Sequence, residues 1–164
     1  MALNERLVRL LDEQGASFAI VPHRVAFTAQ EVAHASHVSG WKVAKVVVVR
    51  EGLRNYLMAV VPASAHLDFG ILRRMTGRKE LGLANEEELR MLFPDCDPGA
   101  MPPFGNLYGM PVYLDACFRD ARDIYFQAGN HAELVRMRFA DYEALAGPFA
   151  GEFCLHEEHA LAHA

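Results

Sequence analysis

Cysteine is scarce in this sequence. Cys96, Cys117 and Cys154 are the only three, they lie far apart, and no pair is spaced C-x-x-C. So sparse and odd a set argues against a disulfide framework and a structural zinc site, and the thiols read as buried or incidental. Long apolar runs are also missing; none approaches the ~20 residues that a membrane span needs. The first residues, MALNERLVRLLDEQG, lack the basic-then-apolar order of a secretory signal and read as an amphipathic helix, so a cytoplasmic location is expected. Lysine is confined to Lys42, Lys45 and Lys79, and the formal net charge is −5, so bulk electrostatics do not mark a DNA-binding or generally nucleic-acid-coating protein. There is no G-x-S-x-G, no P-loop and no G-x-G-x-x-G opening a helix, which removes three common signatures of hydrolases and nucleotide binders.

What is present is ordinary in bulk. A hydrophobic content of 52% and a charged content of 23% suit one soluble domain of residues 1–164 with a full-sized core. Apolar spacing over the first fourteen residues predicts a helix ended by Gly15. SFAIVPH alternates like a strand. FTAQEVAHASHVSG starts a helix with Thr28 as N-cap and Glu31 three residues on, a capping box, and Gly40 is expected to close it. WKVAKVVVV and NYLMAVVP read as a hairpin. DFGILRRM and ANEEELRMLFP read as short helices, the second capped by Asn85. VYLDACF, DIYFQAG and AELVRMRF follow as strands and FADYEALAG as a last helix. After Gly147 the tail is weakly patterned, so the core spans about residues 18–147. Short strands interleaved irregularly with short helices predict an α+β domain built on a mixed, mostly antiparallel, barrel-like sheet flanked by helices.

Four places are chemically unusual. In GWKVAKVVVVR, Lys45 shares strand parity with Val43, Val47 and Val49, whereas Lys42 and Arg50 take the other parity, which solvent could accept. A charge on the apolar side of a strand needs a partner, a route to water or a task. GAMPPFG, Gly99 to Gly105, is a stiff loop with glycine at each end; it suits either amide recognition of a carbonyl or a plain connector. AGNH, Ala128 to His131, follows the apolar strand DIYFQ, where His131 is either functional or structural. LRRMTGRKE gathers Arg73, Arg74, Arg78 and Lys79, either a phosphate-facing patch or a solvated helix end. His34 and His37 at i and i+3 lack a third ligand, and His156, His159 and His163 sit in the weakly patterned tail, so no metal site and no cofactor are expected.

Taken in order, TAQEVAHASHVSGWKVAKVVVV, GAMPPFG and YFQAGNH resemble the YbaK/ProX-type aminoacyl-tRNA editing domains, freestanding relatives of the editing domain inserted in bacterial prolyl-tRNA synthetase. The likeness runs from about Phe18 to Leu145. It implies a YbaK-type fold and a metal-independent trans-editing deacylase that hydrolyses the ester of a mischarged tRNA, with a small amino acid such as alanine on tRNA-Pro the expected substrate. By resemblance Lys45 is the family's essential lysine, Gly99 and Pro103 anchor its G-x-x-x-P loop, and His131 is its strand-end histidine. Phe27, Thr28, Val46, Phe104, Gly105, Gly129 and Asn130 are then expected around the substrate. Members preferring alanyl-tRNA often carry asparagine where Val46 stands. The tRNA acceptor end is the implied partner, with Arg73, Arg74, Arg78 and Lys79 along its backbone and prolyl-tRNA synthetase a further partner. The alternative is a non-catalytic module that binds tRNA ends or nucleotides.

Overall fold

The structure, a computed structural model, describes residues 2–156. Helix α1 (Glu5–Glu13) is capped by Asn4, whose side chain accepts from the Leu7 amide. Strand β1 (Phe18–Pro22) leads to α2 (Ala29–Ser36), where Thr28 and Glu31 form the expected capping box. The helix closes earlier than the glycine predicted. His37 takes the left-handed conformation, φ 57°, and ends it. Gly40 serves close packing instead, since a Cβ there would collide with the Ser64 hydroxyl.

Strands β2 (Val43–Glu51) and β3 (Asn55–Pro62) form the predicted hairpin. Then come β4 (Ala65–Leu67), α3 (Phe69–Thr76), β5 (Leu81–Leu83) and α4 (Glu86–Leu92), the last with a second capping box at Asn85 and Glu88. A 3-10 turn (Gly105–Tyr108) precedes β6 (Val112–Asp115), and another (Ala116–Phe118) cuts short the strand expected through Phe118. Strands β7 (Asp123–Gln127) and β8 (Glu133–Arg138) lead to α5 (Phe139–Ala146). Between residues 148 and 156 the chain forms strands that its weak pattern did not suggest. These are β9 (Phe149–Gly151) and β10 (Cys154–His156), and Phe153 between them is fully buried. The expectations for His159 and His163 lie outside the described residues.

The main sheet runs β1-β8-β7-β2-β3-β6-β9, with β5 pairing the far end of β2; β10 and β4 form a separate antiparallel pair. Pairing is mostly antiparallel, with parallel contacts at β2–β7, β3–β6 and β6–β9. One face is covered continuously. Ala44, Val48, Met58, Val60, Leu114, Phe126 and Val135 meet Leu7 and Leu11 of α1, Tyr142 of α5 and Phe104 of the long loop in one cluster. Arg50, on this parity, is partly exposed, as expected, and pairs with Glu88 at 3.0 Å.

The other face is divided. Helix α2 covers Val43, Ala63 and Leu134 through Val32 and Ala33. Helix α3 and Phe153 cover Val47, Val49, Leu57, Ala59 and Val61. Lys45 lies between the two patches. No described helix is long and apolar enough to cross a membrane.

Candidate active site

Lys45 is half-buried, with Val61 as its cross-strand neighbour, and its Nζ donates to the Ala65 carbonyl at 2.8 Å. Burial pulls its pKa below the usual lysine value, while the Cys154 thiol acts weakly in the other direction. The ammonium is therefore held by one neutral carbonyl oxygen, an arrangement that an anion can improve.

The parallel register of β2 and β7, Val43 with Tyr125 and Ala44 with Phe126, puts Lys45 and Gln127 next in line on the same face. Gln127 is the residue that reading the sequence missed. Its signal was a polar side chain at the inward-facing end of an apolar strand. The Gln127 amide contacts His131 Nδ1 at 3.3 Å, and His131 Nε2 meets the Pro98 carbonyl at 3.1 Å. A carbonyl only accepts, so Nε2 carries the ring proton and Nδ1 accepts from Gln127. Both ring nitrogens are thus engaged within the protein, which fixes the orientation of the imidazole.

The imidazole adjoins the glycine–proline loop. Gly99 sits against the imidazole, its φ of +88° open mainly to glycine, and a Cβ there would lie 3.7 Å from His131 Cε1. Two backbone bonds add to this: Gly129 N–H to Ala100 O at 2.7 Å and Asp97 N–H to Gly129 O at 2.8 Å. The two motifs therefore meet as one unit. Within the loop the Ala100 amide donates to Asp97 O and the Phe104 amide to Pro102 O; the Gly99 amide faces the Met101 thioether at 3.2 Å. A thioether is a weak acceptor and Gly99 is the exposed residue of GAMPPFG, so its N–H is open to a ligand.

Phe27 is 69% exposed and its ring lies 5.1 Å from the His131 ring. The neighbouring Ala26 amide donates to the His131 carbonyl, and Ala26 helps wall a cleft of about 550 Å³ with Arg24, Val25, Gln30, Glu31 and His34. Asn130 is buried and bonds Glu133 and the Ala132 amide, which shapes the turn.

Other expected site residues lie elsewhere. Val46 packs against the continuous core on the face opposite Lys45. Phe104 is fully buried, edge-on to Phe126 and Tyr142. Gly105 is buried where a Cβ would come within 2.6 Å of the Met110 carbonyl, and Tyr142 Oη donates to the Pro103 carbonyl at 2.9 Å. These residues support the loop from behind. The Thr28 hydroxyl is used in capping α2. Arg73, Arg74 and Lys79 are exposed at the end of α3, whereas Arg78 is paired with Glu51.

A sequence model described as the aminoacyl-tRNA editing domain matches residues 23–145, which include the lysine strand, the glycine–proline loop and the strand-end histidine. The chain belongs to the aminoacyl-tRNA editing domain family. Among curated relatives, the multifunctional Ser/Thr-tRNA deacylase ProXp-y of Escherichia coli K12 is 28% identical over 149 residues, covering 88% of this chain and 89% of that protein. The crystal structure of a candidate trans-editing enzyme for prolyl tRNA synthetase superposes with a TM-score of 0.76 at 25% identity, covering 90% of this chain and 94% of the other. The fold is shared still more closely with the hypothetical protein APE2540, TM-score 0.81 at 16% identity, covering 92% and 100%. The editing-domain assignment makes this an aminoacyl-tRNA deacylase by class, of the YbaK type.

Proposed function

We propose that the protein edits in trans, hydrolysing the ester of a mischarged tRNA that carries a small amino acid. Alanine on tRNA-Pro is the first substrate to test; serine and threonine follow, given the name of the E. coli relative. One observation carries the reading: the half-buried Lys45 between the two helix-covered patches, in line with the Gln127–His131–Gly99 unit.

In this reading a phosphate of the acceptor end replaces the Ala65 carbonyl on Lys45 Nζ. Both bonds have the ammonium as donor, but the phosphate adds a full opposite charge, an attraction that strengthens where burial lowers the local dielectric. The Gly99 N–H exchanges its thioether contact for the ester oxygen and stabilises charge as it develops there. An aminoacyl ester is already activated, so positioning and one such donor suffice, and the ribose hydroxyl of the tRNA directs the attacking water, as the family resemblance implies. Phe27 offers a face for the terminal base, and Arg73, Arg74 and Lys79 lie on the α3 side for the phosphates beyond it. The Gln127 amide is a polar group suited to an acyl hydroxyl.

The test is a panel of Ala-, Ser-, Thr- and Pro-tRNAs incubated with the wild type and Lys45→Ala. Ester loss with the small mischarged residues and not with matched prolyl-tRNA is expected. Binding without turnover of any member would remove the deacylase reading and leave the non-catalytic module. Association with prolyl-tRNA synthetase is a separate proposal, checked by co-sedimentation of the two proteins.

A further inference from the structure

Two of the three cysteines that look incidental in the sequence, Cys117 and Cys154, meet in space. Strand β6 ends at Asp115, the 3-10 turn after it carries Cys117, and β10 begins at Cys154. One carboxylate oxygen and the two sulfurs all lie within 4.8 Å of one another. Asp115 is 2% exposed and held by two backbone donors: the Cys117 amide on Oδ2 at 3.0 Å and the Phe153 amide on Oδ1 at 3.1 Å. The two thiols hydrogen-bond to the same carboxylate, so its remaining acceptor capacity faces the sulfurs. The backbone bonds bring the two cysteine-bearing segments to the carboxylate, the support that outer hydrogen bonds give to metal ligands.

Bond lengths of ~2.3 Å to sulfur and ~2.0–2.2 Å to oxygen around a tetrahedral ion place neighbouring ligand atoms ~3.5–3.8 Å apart. A contraction of at most about 1.0–1.3 Å reaches that geometry from the separations here. We propose that Asp115, Cys117 and Cys154 form a three-ligand site for a thiophilic divalent cation of the zinc class, with water in the fourth position on the exposed side of Cys117. On binding, two S–H bonds break, two metal–sulfur bonds form and two protons pass to solvent. The cluster keeps a net charge of −1 throughout: one carboxylate beside two neutral thiols before, one dication with three anions after.

A disulfide is the rival use of the same pair. The Asp115 carboxylate packed beside both sulfurs separates the two uses: it gives a cation its third ligand and adds nothing to a disulfide. The cation would fasten β10 to the end of β6. Strand β10 pairs β4, aligning Cys154 with Leu67 and His156 with Ala65, the residue whose carbonyl holds Lys45. The site thus ties down the element that borders Lys45 without changing the charge near it.

The experiment uses the full chain, reduced and freed of metal by a chelator, titrated with Co²⁺. A thiolate-to-cobalt absorption band saturating at one cobalt per chain and displaced by Zn²⁺ is expected. Cys117→Ser and Cys154→Ser should each abolish it, and Cys96→Ala should keep it. Zn²⁺ should raise the melting temperature of the wild type and not of Cys117→Ser, whose exposed position leaves the fold undisturbed. No thiolate band, or a band that survives Cys117→Ser, overturns the proposal. So does a Cys117–Cys154 disulfide recovered from cells under thiol-trapping conditions.

Discussion

The two faces of the sheet are made from the same strands and do opposite things. On one, Ala44 and Val48 of β2 join a single cluster that runs from α1 to α5. On the other, Val43 belongs to the α2 patch and Val47 and Val49 to the α3 patch, and the residue between them is lysine. A continuous core leaves no room for a ligand; the divided face holds a half-buried amine between its two patches. On the proposed reading, alternation along β2 gives stability to one parity and binding to the other.

Paired substitutions break that comparison most strongly. Lys45→Met keeps the aliphatic stem and removes the charge. It should lower kcat/KM on the edited tRNA by at least about three orders of magnitude, some 4 kcal/mol of barrier, with the circular dichroism spectrum unchanged. Phe104→Ala, behind the loop on the continuous face, should cost about 3–5 kcal/mol of folding stability, read by denaturant unfolding. A Lys45→Met protein that retains turnover would end the division of labour.

The glycines at the two ends of GAMPPFG sharpen the contrast on a smaller scale. Gly105→Ala meets the Met110 carbonyl at 2.6 Å, a backbone atom that cannot swing away, and should cost about 1–3 kcal/mol of stability. Gly99→Ala has space but the wrong φ, at about 1–2 kcal/mol. Its larger consequence should be on kcat, because it moves the amide beside His131. Equal stability losses with equal activity losses would mean that both glycines serve only packing. Smaller again is Tyr142→Phe. It strands the buried Pro103 carbonyl for about 1 kcal/mol, with melting temperature as the measurement and little change in KM expected.

How much of this was legible follows from range. The capping boxes at Thr28 and Asn85 are local chemistry, readable within four residues, and both form. The parity of Lys45 was readable because β2 is nine residues long and its alternation is sustained. Strands β4, β5, β9 and β10 have three residues each, too few to show a period, and exist because a partner strand is there to pair with. The same holds for the site. Lys45, Gly99 and His131 were legible as ordered motifs, whereas Gln127 depends on the β2–β7 register and the Cys117–Cys154 approach on β10 returning to β4. Phe104 was misplaced for a related reason: a motif records that a residue is needed and not which way it faces.

The smallest expected effect tests whether Lys45 is a cost that the fold carries. Burial lowers its pKa from the usual 10.5. Between that lowered value and 10.5 the unfolded chain binds more protons than the folded one, so wild-type stability should gain from this group as pH rises through the window. Below the window both states are protonated and the full cost is present. Lys45→Met lacks this term, but it also leaves the Ala65 carbonyl without its Nζ donor, a constant loss of about 1 kcal/mol. The offset between the two proteins is therefore ambiguous, and the slope is the readout. Chemical unfolding at a series of pH values from neutral upward should show the stability of the wild type rising relative to the variant. A difference that stays flat would mean that water solvates the ammonium well where it stands, and that the proposed affinity for phosphate cannot rest on a poorly held charge.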